Sequence, residues 1–355
     1  MHIPRRSSAA RLARRLSSAA APPPLQAQFA ATTIPHPEKV HKGGEDACWA
    51  SAASGWFGVA DGVGGSAKEG VDPGKFSRGV LAAARDCVAG GDAAAGGEGP
   101  TEALRRAAAV LLPQKLPGSS TVLLGSVDPS SATLRIANIG DCSALLLRPA
   151  VRSFGDEQTL YPRVVLQVHA QQHYFNCPYQ VSTGTFAQAL EHQCDEVSCA
   201  VEHGDVVIAA TDGVFDNLDT SSMQLEVARL LPRLLATAQP KTAAAEQQEA
   251  EEARAAALRD LAKAIAEKAS EIGLRQDDSS IETPFSAGAR REGLLWPGGK
   301  TDDIAVVVGM LVTAEGSESL AANGAGEDVG NLDFHESSQS GDEAAGVAAS
   351  IQGRG

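Results

Sequence analysis

The dominant pattern along the chain is a series of short apolar, β-branched runs: WFGVA (56–60), STVLLGSVD (120–128), TLRIANIGD (133–141), SALLLRP (143–149), RVVLQVH (163–169), DVVIAATD (205–212) and DIAVVVGMLV (303–312). Runs of this length, bounded by Gly and Asp, predict buried strands. Short connections join the central ones, so hairpins and a largely antiparallel arrangement are expected rather than βαβ crossovers. Apolar residues recur at helical spacing in 74–90, 101–112, 222–237 and 243–272, which predicts helices outside the strands. A Gly-rich loop, GGDAAAGGEG, separates the first two.

The two ends differ from this body. Residues 1–37 carry Arg5, Arg6, Arg11, Arg14 and Arg15, with Ser and Ala and no acidic residue before Glu38. A basic, acid-free start without a long apolar core predicts a disordered transit peptide, mitochondrial rather than secretory, with a chloroplast address as the alternative. The folded body is then expected to span 38–313. The remainder, 314–355, is acidic and aperiodic and is expected to be a disordered tail.

Composition narrows the function. The net charge is −14 over 355 residues, and the body without its arginine-rich start is more acidic still. That disfavours nucleic acid as a partner. No apolar run is long enough to span a bilayer. The six cysteines form no CxxC pair, as expected for buried free thiols in a reducing compartment.

Acidic residues fall repeatedly where buried strands end: Asp61 after WFGVA, Asp141 after RIANIG, Asp212 after VVIAAT, and Asp302 and Asp303 before IAVVVG. A carboxylate at such a place is costly unless water or a cation meets it. Any one of them fits a turn cap, whereas four in equivalent places point to a shared cation. Oxygen-only ligands suit Mg2+ or Mn2+. The stretch GVADGVGG (58–65) superficially fits a dinucleotide loop, but its aspartate would face the pyrophosphate and no helix follows at once. Gly299-Lys300-Thr301 fails as a phosphate loop because its upstream glycine is misplaced and a strand follows.

These motifs, in order, resemble the metal-dependent Ser/Thr phosphatases of the protein phosphatase 2C family. The resemblance runs through GGEDA (43–47), ADGVGG (60–65), GSSTVLLGSVD (118–128), IANIGDCSALLLR (136–148), AATDGVFDNL (209–218) and KTDDIAVVVG (300–309). It implies an α+β fold, a four-layer α-β-β-α sandwich of two largely antiparallel sheets flanked by helices. It implies hydrolysis of phosphoserine and phosphothreonine on proteins by a water activated between two Mg2+ or Mn2+ ions. Asp61, Asp212 and Asp302 would carry the catalysis, with Glu45 and the Gly62 carbonyl completing the metal ligands. Asp46 and Asp303 would orient ligands, and Asp141 and Asp216 match positions of a weaker third ion.

Two departures accompany the resemblance. Val63 stands where many relatives have a histidine able to protonate the leaving group, and His41 with Lys42 stands near the place of a phosphate-binding arginine. QQHYFNCPYQV (171–181) and TPFSAGARREGLLWPGGKTDD (283–303) resemble the mitochondrial branch, with His173 and Tyr179 expected to pack beneath the catalytic edge. A catalytically silent phosphoprotein binder and a hydrolase of small phosphate esters are the alternative functions.

Overall fold

The computed structural model describes residues 25–65, 70–89, 98–154, 157–239, 244–313 and 328–332. The strands that build its two main sheets are β1 (Leu25–Ile34), β2 (Ala47–Ser51), β3 (Trp56–Ala60), β4 (Val122–Asp128), β5 (Thr133–Ile139), β6 (Ser143–Phe154), β7 (Glu157–Val168), β8 (Asp195–Ala200), β9 (Val206–Ala210), β10 (Ile304–Thr313) and β11 (Val329–Gly330). One sheet has the order β1-β10-β9-β6-β7 and the other β8-β5-β4-β3-β2-β11. Every pairing within them is antiparallel, as the short connections require.

Three apolar clusters fill the spaces between four layers. Alternate residues of β10 divide between two of them: Ile304, Val306, Val308, Met310 and Val312 face helices α3 (Thr220–Thr237) and α4 (Ala244–Gly273), while Ala305, Val307 and Leu311 face the opposite sheet. Burial on both faces is why the run shows no polar alternation in sequence. The other sheet packs Ala47, Trp49, Trp56 and Ala60 against helices α1 (Pro73–Ala89) and α2 (Pro100–Leu111). The four-layer sandwich and its four long helices agree with the expectation.

Both expected boundaries of the body need correction. Leu25–Ile34 is not part of a disordered leader but an edge strand, paired residue for residue with β10 from Leu25↔Thr313 to Ile34↔Ile304. Leu25, Ala27, Phe29 and Ala30 are buried, so apolar burial holds the segment down. The acidic tail likewise returns to the sheet. Val329 pairs with Ala50 and Gly330 with Trp49, the Trp49 indole donates to Asp328, and Asn331 bonds the backbone of Asp46 and Cys48. Residues 1–24 and 333–355 lie outside the described residues. All six cysteines are free, but only Cys48 and Cys142 are buried; Cys87, Cys177, Cys194 and Cys199 are half-buried.

Candidate metal centre

Strand ends bring the acidic residues to one edge of the sandwich. Asp61 follows β3, where its N–H donates to Thr121 Oγ1 at 3.2 Å and its carbonyl accepts from Ser120 Oγ at 2.7 Å. Gly62 must be glycine because a Cβ there would lie 2.7 Å from the Glu45 carbonyl and 2.8 Å from that of Pro73. This close approach brings the Glu45-Asp46 loop against the end of β3. Asp141 sits in the β5–β6 turn, and Asp212 opens the short helix Asp212–Phe215 after β9.

Asp61, Asp141 and Asp212 each offer a carboxylate oxygen within 4.8 Å of the others. Both Oδ atoms of Asp46, Oδ1 of Asp141 and Oδ1 of Asp212 are buried without a hydrogen-bond partner among the described residues. Unpartnered buried carboxylate oxygens are strongly disfavoured without a cation. Burial first, and then the charges of Asp46 and Asp212, push the half-buried Asp61 well above the usual carboxylate range. Burial, with Asp303 and Asp302 beside it, does the same to Asp46. Burial and the Asp212 and Asp216 charges push Asp141 up to about 8 despite Lys300. Carboxylates that repel one another in this way gain affinity for a positive charge, and an all-oxygen donor set fits a hard divalent cation such as Mg2+ or Mn2+.

The remaining expected residues are held by lysines. Glu45 meets Lys39 Nζ at 2.5 Å through Oε2 and Lys42 Nζ at 2.6 Å through Oε1. Burial alone would raise its pKa, but the two lysines outweigh it and hold it below the usual range. Asp303 accepts from the His36 N–H at 2.8 Å, Lys39 Nζ at 2.8 Å and the Glu45 N–H at 3.2 Å. It thereby fastens the 36–45 segment to the start of β10. Lys300 Nζ contacts Asp212 at 2.5 Å, Asp216 at 2.7 Å and Asp302 at 3.0 Å. Burial, opposed by Lys300, brings Asp216 to about 7.

His41 is exposed, and Lys42 is engaged with Glu45. His173 is also exposed and stacks edge-on against Tyr179 at 4.5 Å, so the expected packing of His173 beneath the edge does not occur. The stretches 171–181 and 283–303 do meet: the Phe175 ring lies 4.9 Å from Phe285, and Phe285 lies 5.1 Å from Trp296. Sequence reasoning missed Lys39 and assigned Lys300 no role. A lysine among prospective cation ligands has the wrong sign to attract notice, and its only signal was position two residues before Asp302.

Similarity to known proteins identifies the family. Residues 55–281 match the family described as Stage II sporulation protein E (SpoIIE). The chain is 30% identical over 304 residues to probable protein phosphatase 2C 26 of Arabidopsis thaliana, covering 82% of this chain and 86% of that protein. It is 31% identical over 278 residues to the protein phosphatase PTC7 homolog of Homo sapiens, with 76% and 79% covered. The solved structure of the photosystem II phosphatase PBCP superposes with a TM-score of 0.60 at 27% identity, over 80% of this chain and 98% of that one. The chain belongs to the protein phosphatase 2C family, metal-dependent enzymes that dephosphorylate serine and threonine on proteins. Among the described residues no helix is long and apolar enough to cross a membrane.

Proposed function

We propose that this chain hydrolyses phosphoserine and phosphothreonine on protein substrates with two Mg2+ or Mn2+ ions. The observation that carries the reading is the convergence of Asp61, Asp141 and Asp212 within 4.8 Å, with oxygens left unpartnered on Asp141 and Asp212. These residues would hold cation charge, joined by the further ligands that the resemblance implies, Glu45, the Gly62 carbonyl and Asp302. When bound, such ions supply Lewis acidity that acidifies water and neutralises phosphate charge.

The chain's own residues prepare that chemistry. Lys39 and Lys42 hold Glu45 ionised, and Asp303 fixes the Glu45 backbone. The buried Asp46 carboxyl raises the affinity of Asp61 for positive charge. His41 and Lys42, on the 3-10 turn Pro37–Lys42, are the groups that the resemblance offers to an incoming phosphate, Lys42 from its ion pair with Glu45. Val63 cannot donate a proton, so the leaving oxygen takes its proton from water.

Residues 1–24 then serve as a mitochondrial address, shorter than 1–37 because β1 belongs to the body. A reporter fused to 1–24 should enter mitochondria; import into plastids alone would refute that address. The functional test is turnover of a phosphopeptide and a small phosphate ester by the full chain, with and without Mn2+. Metal-dependent phosphopeptide hydrolysis is expected. Ester hydrolysis alone would make the chain a small-molecule hydrolase, and binding without turnover would make it a silent phosphoprotein receptor.

A further inference from the structure

The ammonium of Lys300 sits among three carboxylates, with one oxygen of each within 3.0 Å. A lysine carries three N–H donors; Asp212 and Asp216 each accept one, and Asp302 is an ion-pair partner at 3.0 Å. The side chain is 13% exposed, so solvent does little of this work. Its backbone is fixed from both sides by one buried amide: Lys300 N–H donates to Asn217 Oδ1 at 2.9 Å, and Asn217 Nδ2 donates to the Lys300 carbonyl at 2.8 Å. Asn217 in turn donates to the Gly213 carbonyl, beside Asp212. The Phe285 ring lies 5.1 Å from the ammonium on another side, within the distance of a cation–π contact. The ammonium is thus placed by the fold.

Its three partners divide their oxygens. Asp212 gives Oδ2 to Lys300 and leaves Oδ1 unpartnered, and its carboxylate lies with those of Asp61 and Asp141. Asp302 gives Oδ2 to Lys300, and its Oδ1 accepts the Asp303 N–H. Asp216 gives its Oδ2 at 2.7 Å. A divalent ion bound at Asp216 would stand within a few ångströms of a fixed positive charge, a strong repulsion in a site of low polarity.

We propose that Lys300 is a resident cation of this centre, taking the place that a third metal ion would need at Asp216 and confining the metals to Asp61, Asp141, Asp212 and the further ligands that the resemblance implies. The inference rests on the metal-dependent reading above and narrows it to two ions. Lys300 is a positioning residue: it holds Oδ2 of Asp212 so that Oδ1 stays unpartnered, and it holds Oδ2 of Asp302, whose Oδ1 accepts the Asp303 N–H.

The test is a count of bound Mn2+ by calorimetry and electron paramagnetic resonance on the full chain. The unaltered protein should bind two equivalents. Asp216→Asn should bind the same number, weakened by no more than about tenfold, the lower end for a residue beyond the ligands. Lys300→Met should take up one further equivalent, and Lys300→Arg should restore the original count. If Asp216→Asn loses an equivalent, or the unaltered chain binds three, the inference is overturned. If Lys300→Met does not fold, Asp216→Asn and the unaltered chain still decide. Absence of any Mn2+ binding and of turnover would instead overturn the proposed function.

Discussion

Phe29→Ala is the substitution that most directly tests where the folded body begins. Phe29 is 6% exposed, its ring lies 5.6 Å from that of Phe57, and it pairs across the sheet with Gly309. A Cβ at Gly309 would lie 2.5 Å from Phe29 Cδ1, so the ring occupies the space that a side chain on β10 would fill. Truncating a buried phenylalanine costs about 3–5 kcal/mol, transfer and cavity together. At about 2 °C per kcal/mol for a domain of this size, the melting temperature should fall by roughly 6–10 °C. Urea unfolding followed by tryptophan fluorescence and calorimetry would measure both quantities. Gly309→Ala alone should also destabilise, by about 1–3 kcal/mol of overpacking. The double variant should be more stable than the two losses added, because the new methyl enters vacated space. A loss below about 0.5 kcal/mol for Phe29→Ala, the range of a surface change, would return Leu25–Ile34 to the leader and refute the pairing with β10.

Asp61→Asn or Asp212→Asn should abolish turnover while leaving the circular dichroism spectrum intact; near-normal activity at saturating Mn2+ would contradict the placement of the site. Mn2+ at about 100 times its dissociation constant should stabilise the protein by about 2.7 kcal/mol for each site, reversed by chelator, and an unchanged melting temperature would contradict the fit of the carboxylates to a cation. Val63→His should leave hydrolysis of an activated aryl phosphate nearly unchanged and accelerate that of phosphoserine, since only the poorer leaving group needs a proton; equal effects on both substrates would exclude a proton-transfer deficit at Val63. Arg148→Ala should cost about 3–5 kcal/mol, because the fully buried Asp205 loses two bonds of 2.8 Å, and a neutral outcome in urea unfolding would contradict that pairing.

The central strands and long helices were legible because two-sided burial and helical spacing leave unmistakable patterns. The runs at 205–212 and 303–312 become β9 and β10 with only end residues trimmed. Strand β1 was not legible: LQAQFAATTI alternates weakly and adjoins a basic, acid-free stretch whose composition dominates the reading. Strand β11 is too short to produce a pattern, and its apolar payload is a single half-buried valine. For the centre, the strand-end aspartates could be listed from sequence, because burying a charge at a strand exit is unusual. What could not be read was which oxygen of each carboxylate is already taken. That depends on Lys39 and Lys300, whose contacts arise only when distant segments meet.

The pairing of β1 with β10 has a consequence for how the protein is made. The partner of Phe29 is Gly309, so nearly the whole chain must leave the ribosome before the first strand has a place to go. Pairings of such high sequence separation form slowly, and N-terminal segments emerge first. Until then the face of Leu25, Ala27 and Phe29 lacks the core it packs into, and the edge of β10 stays open. The strand that completes the five-stranded sheet is thus the first to be made and, with its partner in place only at the end, among the last to be paired.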